Sequence, residues 1–356
     1  MRNVVFTILL SYTTSVFLAQ APKFSNEFLS IGVGADALGR SGSVVASVED
    51  YTSSYWNPAG LTSLKNDIQV GAMHAEYFAG IAKYDYLGGA FKIDSNASFG
   101  ASIIRFGIDD IPNTIDLIDA NGNVNYDNIT SFSTADYAFL LSYARKNIFP
   151  GVSIGGSAKI VHRKVGDFAK AWGFGIDLGA QYRKNNWLFG LLARDITTTV
   201  NAWSYSLDDR TLEVFNLTDN EIPQNGTEIT LPKFILAAGY NFSLKNNIGF
   251  TPEINLDFTT DGKRNVLIEG DPVSIDPHLG MQFDYKKIVY LRAGLGNLQR
   301  ETNDLGNREF FTVQPNMGIG VSLRNVQLDY ALTDIGDASA GLYSHVFSLR
   351  FNIQKE

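Results

Sequence analysis

From about residue 66 to the C-terminus, apolar and polar positions take turns one by one. In 312–323, Val313, Pro315, Met317, Ile319, Val321 and Leu323 share one face, and Thr312, Gln314, Asn316, Gly318, Gly320 and Ser322 the other. In 172–183, Trp172, Phe174, Ile176, Leu178, Ala180 and Tyr182 oppose Gly173, Gly175, Asp177, Gly179, Gln181 and Arg183. Residues 248–258 set Ile248, Phe250, Ile254, Leu256 and Phe258 against Gly249, Thr251, Glu253, Asn255 and Asp257. A period of two belongs to a strand, whose side chains point to opposite faces in turn. The pattern predicts about 14 strands, near 66–77, 81–92, 96–108, 133–146, 151–165, 172–184, 186–195, 232–245, 248–260, 275–286, 288–297, 310–323, 325–333 and 343–353. Several exceed the roughly 5–6 residues usual in soluble sheets.

Periodicity alone does not separate a soluble sandwich from a membrane barrel. The connections point to the barrel. Long ones near 109–132, 196–231, 261–274, 298–309 and 334–342 alternate with short ones such as Asn185, Asn246-Asn247 and Arg324-Asn325. Outer-membrane barrels have short turns on one side and longer loops on the other. Only the first loop, near 78–80, is short for its side. The chain also ends on an amphipathic strand, Tyr343 to Ile353, and closure of a barrel would leave no strand edge exposed. Tyr137, Tyr143, Trp172, Tyr182, Trp187, Tyr240, Tyr285 and Tyr343 fall near strand ends, as in an aromatic girdle. The expected fold class is therefore all-β: a transmembrane antiparallel β-barrel of about 14 strands.

The start of the chain differs. Met1-Arg2-Asn3, a mostly apolar Val4 to Leu18 and the small residues Ala19-Gln20-Ala21 read as a signal peptide, residues 1–21, removed on export. After residue 21 no apolar run approaches the ~18 residues of a spanning helix, which excludes a helical-bundle membrane protein. The chain has no Cys and a net charge of −8. The first excludes disulfide frameworks and thiolate metal sites, and the second argues against nucleic acid as a partner.

Residues 22–65 are rich in Gly, Ala and Ser and lack alternation, so short helical turns and tight loops are expected there. Ser30-Ile31-Gly32-Val33-Gly34-Ala35-Asp36-Ala37-Leu38-Gly39-Arg40-Ser41-Gly42, followed by Asp50 and Tyr55-Trp56-Asn57-Pro58-Ala59-Gly60-Leu61, resembles the start of the PorV/PorQ family. That family sits within the wider FadL-like group of outer-membrane barrels. The segments from Gly173 to Ala180, Leu231-Pro232, Tyr290 to Gly294 and Leu328 to Ala331, and the end Leu349-Arg350-Phe351, are similar too. Arg40 departs from the pattern, where a small or apolar residue is expected. The resemblance implies three parts: the signal peptide, a hatch over residues 22–65 inside the barrel, and the outer-membrane barrel over 66–356. It also implies a part in type IX secretion, with outer-membrane lipid and either cargo C-terminal domains or secretion subunits as partners. A wide lumen that side chains cannot fill calls independently for a plug. The alternative is a FadL-like transporter of hydrophobic small molecules. A lateral gap lined with apolar residues would favour transport; a closed wall with a tightly packed hatch would favour secretion.

The hatch motif is Asp50, Trp56, Asn57, Pro58 and Gly60, with Asn57-Pro58 as a turn, because Pro fixes its own φ and forces the preceding residue to extend. Gly32, Gly34 and Gly39 lack dinucleotide-binding spacing. Asp119, Asn121, Asn123, Asn125 and Asp127 alternate like a calcium loop, yet Val124 stands where Gly is needed. His74, His162, His278 and His345 are scattered, with His278 near Asp276 and Asp284. Lys159, Arg163, Asp177, Arg183, Glu253, Asp257, Asp276, Asp284, Arg292, Asp329 and Arg350 fall on the face expected to point inward, since charges avoid lipid. The 196–231 loop, with Trp203, Tyr205, Leu207, Phe215 and Leu217, is the candidate partner-binding loop. No triad or carboxylate pair suggests an enzyme, and no metal or cofactor is expected.

Overall fold

The computed structural model describes residues 24–118, 122–302, 309–335 and 343–354. The expected signal peptide lies outside the described residues. Seventeen strand segments are β1 (Ile68–Tyr77), β2 (Ala82–Lys92), β3 (Ala97–Asn113), β4 (Thr130–Phe149), β5 (Val152–Val165), β6 (Ala169–Lys184), β7 (Trp187–Arg194), β8 (Thr199–Tyr205), β9 (Gly226–Thr230), β10 (Lys233–Tyr240), β11 (Phe242–Ser243), β12 (Ile248–Thr259), β13 (Ser274–Tyr285), β14 (Val289–Thr302), β15 (Glu309–Leu323), β16 (Val326–Thr333) and β17 (Ser344–Ile353). They form one antiparallel sheet, and β1 pairs with both β2 and β17, which shuts it. β8 prolongs the line of β7, because β6 pairs β7 along Leu178–Lys184 and β8 along Ala169–Phe174. β9 and β11 likewise extend the line of β10. The result is a closed antiparallel barrel of 14 strands.

The region 196–231 is not the free loop that the alternation suggested. Thr199 to Thr230 and Trp203 to Gly226 pair, so the wall continues outward before helix α3 (Asp209–Leu217) crosses between the strands. Asp208 caps that helix by accepting from the Thr211 amide at 2.7 Å. The strand was hidden because residues 195–198 are inserted against β6. Leu178 faces Ala193 but Phe174 already faces Val200, so the period-two phase resets.

On most of the wall the outward side chains are apolar, with Phe174, Leu178, Ile319 and Leu328 among those exposed. Rows of this kind on long tilted strands match a hydrocarbon environment. Residues 24–65 lie inside the barrel as four short helical turns, a 3₁₀ turn Glu27–Leu29, α1 (Ala35–Leu38), α2 (Ser53–Trp56) and a 3₁₀ turn Pro58–Ser63, joined by loops. Their size is set by close backbone approach. A Cβ on Gly179 would come within 2.1 Å of Asn57 Oδ1, and one on Gly155 within 2.6 Å of the Pro58 carbonyl carbon. At these glycines the wall is bare of side chains where the inner segment touches it.

The inner segment has two different sides. Phe28, Leu29, Val33, Tyr51 and Tyr55 pack with Met73, Tyr77, Tyr84, Tyr86 and Ile104 of β1–β3 in one apolar cluster. Toward β12–β17 the inward wall is instead polar, with Glu253, Asp257, Arg292 and Asp329 buried. The expectation that charges turn inward named no residue of β1–β3, and on these strands the pattern inverts. There His74, Glu76, Lys83, Asp85 and Arg105 face outward, because the inward positions are taken by large apolar side chains.

Candidate functional site

At the short-turn end, the acids of the inner segment meet the bases of the wall. Asp36, on the first turn of α1, receives Arg40 one turn later and Arg292 of β14 at 3.2 Å. Arg292, whose side chain is wholly buried, also reaches Asp329 at 2.7 Å and Gln282 at 2.9 Å. Asp50 takes Arg350 of β17 at 2.7 Å, and Glu49 takes Arg183 of β6 at 3.0 Å together with Lys65. Burial alone would raise the Asp36 carboxyl, but the guanidinium groups of Arg292, Arg40 and Arg350 outweigh it and hold it at about 2. Burial also works against ionised Glu49, and Lys65 and Arg183 pull it below the usual range. Arg40, the departure from the family pattern, is accommodated by Asp36 and by Ser47 at 3.2 Å. A cavity of about 160 Å³ remains among these groups.

The hatch-motif residues are brought together as fasteners. Asp50 accepts from the Thr52 amide at 2.9 Å besides binding Arg350. Trp56 donates its indole N–H to the Val33 carbonyl at 2.7 Å and stands edge-on to Tyr55. The fully buried Asn57 side chain donates to the Val45 carbonyl at 2.9 Å and to the Ala180 carbonyl of β6 at 3.1 Å, while its oxygen accepts from the Ala59 amide. Pro58 opens the 3₁₀ turn, where its missing N–H costs nothing. Gly60 is forced by the Val48 carbonyl, 2.4 Å from where a Cβ would stand.

At the long-loop end the lumen opens into a vestibule of about 630 Å³. Its floor carries Ile31, Leu38, Tyr55 and Trp56, with Tyr77 and Phe78 at one side. Arg194 lies over the Tyr55 ring at 4.4 Å and donates to the Tyr55 carbonyl at 3.1 Å. Lys233 pairs with Asp257 at 2.6 Å, and His278 sits 3.3 Å from Asp276. Sequence reading missed Arg194, since one basic residue at the end of an apolar strand carries no local signal. It also missed the joining of Lys159 with Asp177 at 3.1 Å and with Asp195, which fills the inserted stretch between β7 and β8 with buried charge.

The candidate loop residues are held apart from this vestibule. Trp203 lies on β8, donates to Glu228 at 2.7 Å and is covered by Arg163, so it is half-buried in the wall's extension. Tyr205 stacks beside Trp203, and Phe215 sits on α3. Of the calcium-like series, Asp119 and Asn121 lie outside the described residues, and Asn125 serves the 126–128 turn by accepting from the Asp127 amide. Among the described residues no group of three or more acidic or histidine side chains could hold a metal ion.

No protein-family model matches the sequence, and no curated protein matches it. Solved structures do match in fold. The Ralstonia pickettii toluene transporter TbuX aligns at 11% identity over 91% of this chain and 99% of that one, with a TM-score of 0.54. The CymD monoaromatic hydrocarbon channel aligns at 13% identity over 94% and 100%, with a TM-score of 0.54. A Pseudomonas aeruginosa FadL homologue aligns at 11% identity over 90% and 98%, with a TM-score of 0.53. The barrel is thus of the kind found in FadL-like outer-membrane proteins, and those neighbours are channels and transporters, not enzymes.

Proposed function

From a FadL-like barrel with an occupied lumen, we propose that this chain sits in an outer membrane and takes up a hydrophobic small molecule through its vestibule. The vestibule carries the proposal. At about 630 Å³ it has the size of a small-molecule site, with an aromatic and aliphatic floor under walls that are largely polar and charged, Arg194, Lys233, Asp257 and His278 among them. Residues 24–65 act as the plug beneath it. The test is uptake of toluene into liposomes containing the full chain. Uptake should exceed that of empty liposomes and fall at least fivefold in Ile31→Arg, which puts a charge into the floor. Equal uptake with and without protein would remove the transport reading.

A second reading, a PorV/PorQ-like role in type IX secretion, is favoured by two observations. Neighbouring strands are paired all the way round, and the seam at residues 195–198 is lined by charge, with no apolar gap. The residues that carry the family resemblance, Asp50, Trp56, Asn57, Pro58 and Gly60, are also those that fasten the plug. In this reading the extension bearing Trp203, Tyr205 and Phe215 presents a surface to secreted cargo or to secretion subunits. Photocrosslinking from Tyr205 in cells would capture such a component. Failure there, with toluene uptake intact, would leave transport alone.

A further inference from the structure

The two ends of the barrel carry opposite charge. In a chain of net charge −8, the short turns 145–147, 184–186, 245–247, 286–288 and 324–325 hold seven bases and no acid. The long-loop end is acidic, and its segment 208–221 sets Asp208, Asp209, Glu213, Asp219 and Glu221 against Arg210 alone. The bases of the short turns are Arg145 and Lys146, Lys184, Lys245, the pair Lys286 and Lys287, and Arg324, and all but Lys146 are exposed. Among the described residues none of the seven is held in an ion pair. Asp94, in the turn next to Arg145 and Lys146, is itself engaged by the amides of Asn96 and Ala97 at 2.6 and 2.9 Å.

The neighbouring side chains fix the depth of these bases. Beside each turn stands a large, exposed, outward apolar residue: Tyr143, Trp187, Phe242, Tyr285 and Leu323 in order. The bases therefore stand at the edge of the hydrocarbon belt, at head-group level. There a long basic side chain lays its stem on apolar surface and reaches a phosphate with its charge. Lys286 shows the arrangement, with its ammonium 5.3 Å from the centre of the Tyr285 ring.

Closing the hairpins does not account for the charge. At Asn147, Asn185, Asn246 and Asn247 the left-handed backbone is taken by Asn, which adopts it more readily than most residues. Lys286, Lys287 and Arg324 hold the same conformation, at φ 54°, 56° and 53°, where a long side chain is uncommon. These turns place a base where the local backbone favours Asn or Gly.

We propose that the short-turn rim binds the head groups of anionic phospholipids in the leaflet that faces the periplasm. The inference rests on the outer-membrane placement proposed above and not on what the vestibule carries. Short turns of outer-membrane barrels lie on the periplasmic side. The spread of the bases selects a leaflet as occupant. They occupy five of the six short turns, from β4–β5 round to β15–β16. One compact acidic protein would meet only part of such an arc, whereas a leaflet offers a phosphate at every turn. A zwitterionic head group has no net charge to give, so the rim favours anionic lipid.

The test uses the full-length chain in nanodiscs of equal phosphatidylglycerol and phosphatidylcholine, released for native mass spectrometry. The chain should retain phosphatidylglycerol at least fivefold over phosphatidylcholine. Lys286→Asn, Lys287→Asn and Arg324→Asn combined should lower that preference at least twofold. Asn suits a left-handed turn, so this variant removes charge while keeping the hairpins. Adding Arg145→Gln, Lys146→Gln, Lys184→Gln and Lys245→Gln should abolish the preference. Lys164→Gln with Lys170→Gln, toward the long-loop end, should leave it unchanged. Toluene uptake in phosphatidylcholine liposomes reads the transport proposal separately, and the Asn variant should keep it. Equal retention of the two lipids, a preference that survives loss of all seven charges, or equal loss in the long-loop control would each overturn the proposal. So would an adduct of protein mass on chains taken from outer membranes that disappears in the Asn variant.

Discussion

The two walls that hold the inner segment use opposite chemistry. Toward β12–β17 the contact is ionic: Asp36 and Asp50 reach across to Arg292 and Arg350, and Ala46 donates its amide to Glu253 at 2.7 Å. Toward β1–β3 it is apolar, built on Tyr84, Tyr86, Met73 and Ile104. The difference shows that the polarity of a barrel's inner face is set by whatever fills it. Where the filling is greasy, the wall turns its large apolar side chains inward, and the charges of those strands are left facing out.

The strongest way to break this comparison is Arg292→Ala. It leaves Asp329 buried and Asp36 half-buried with their shared partner gone, for a loss of about 3 kcal/mol in denaturant unfolding into vesicles. A loss under about 1 kcal/mol would mean that the ionic wall does not hold the plug. Acid should divide the two walls next. The Asp36 carboxyl is held at about 2 against an ordinary 3.8, so its contribution is whole above about pH 4 and disappears as pH falls toward 2. Amide exchange at Ala35–Ser41, corrected for intrinsic pH dependence, should accelerate over that window before exchange at Tyr84 and Tyr86 does. The smallest effect is expected from Tyr84→Phe on the apolar wall. The Tyr84 hydroxyl is buried without a partner, so its removal should change stability by less than about 1 kcal/mol, in the stabilising direction if at all.

Most of the wall was legible because side-chain alternation is local and survives over a dozen residues, as in 172–183 and 312–323. Strand ends moved by a few residues, most where β3 runs to Asn113 instead of 108 and β14 to Thr302 instead of 297. Two things were not legible. The strand Thr199–Tyr205 is short, and the insertion at 195–198 resets its phase. The facing of β1–β3 could not be read either, since Met73/Tyr77 against His74/Glu76 alternates correctly in both orientations and only the filling decides between them. Within the site, Asp50, Trp56, Asn57, Pro58 and Gly60 could be picked out by family likeness. Their partners Arg350, Val33 and Ala180 come from places that no spacing rule connects.

The pairing of β1 with β17 has a consequence for assembly. β17 is the strand that zips against β1, so the cylinder stays an open curl until β17 is in place. Residues 24–65 precede β1 and are translated before any wall is there to receive them. Bare tracks at Gly155 and Gly179 admit the Asn57–Ala59 backbone with no clearance to spare, so the curl has to wrap around its own N-terminal cargo. Biogenesis of this molecule is therefore a packaging problem first and an insertion problem second.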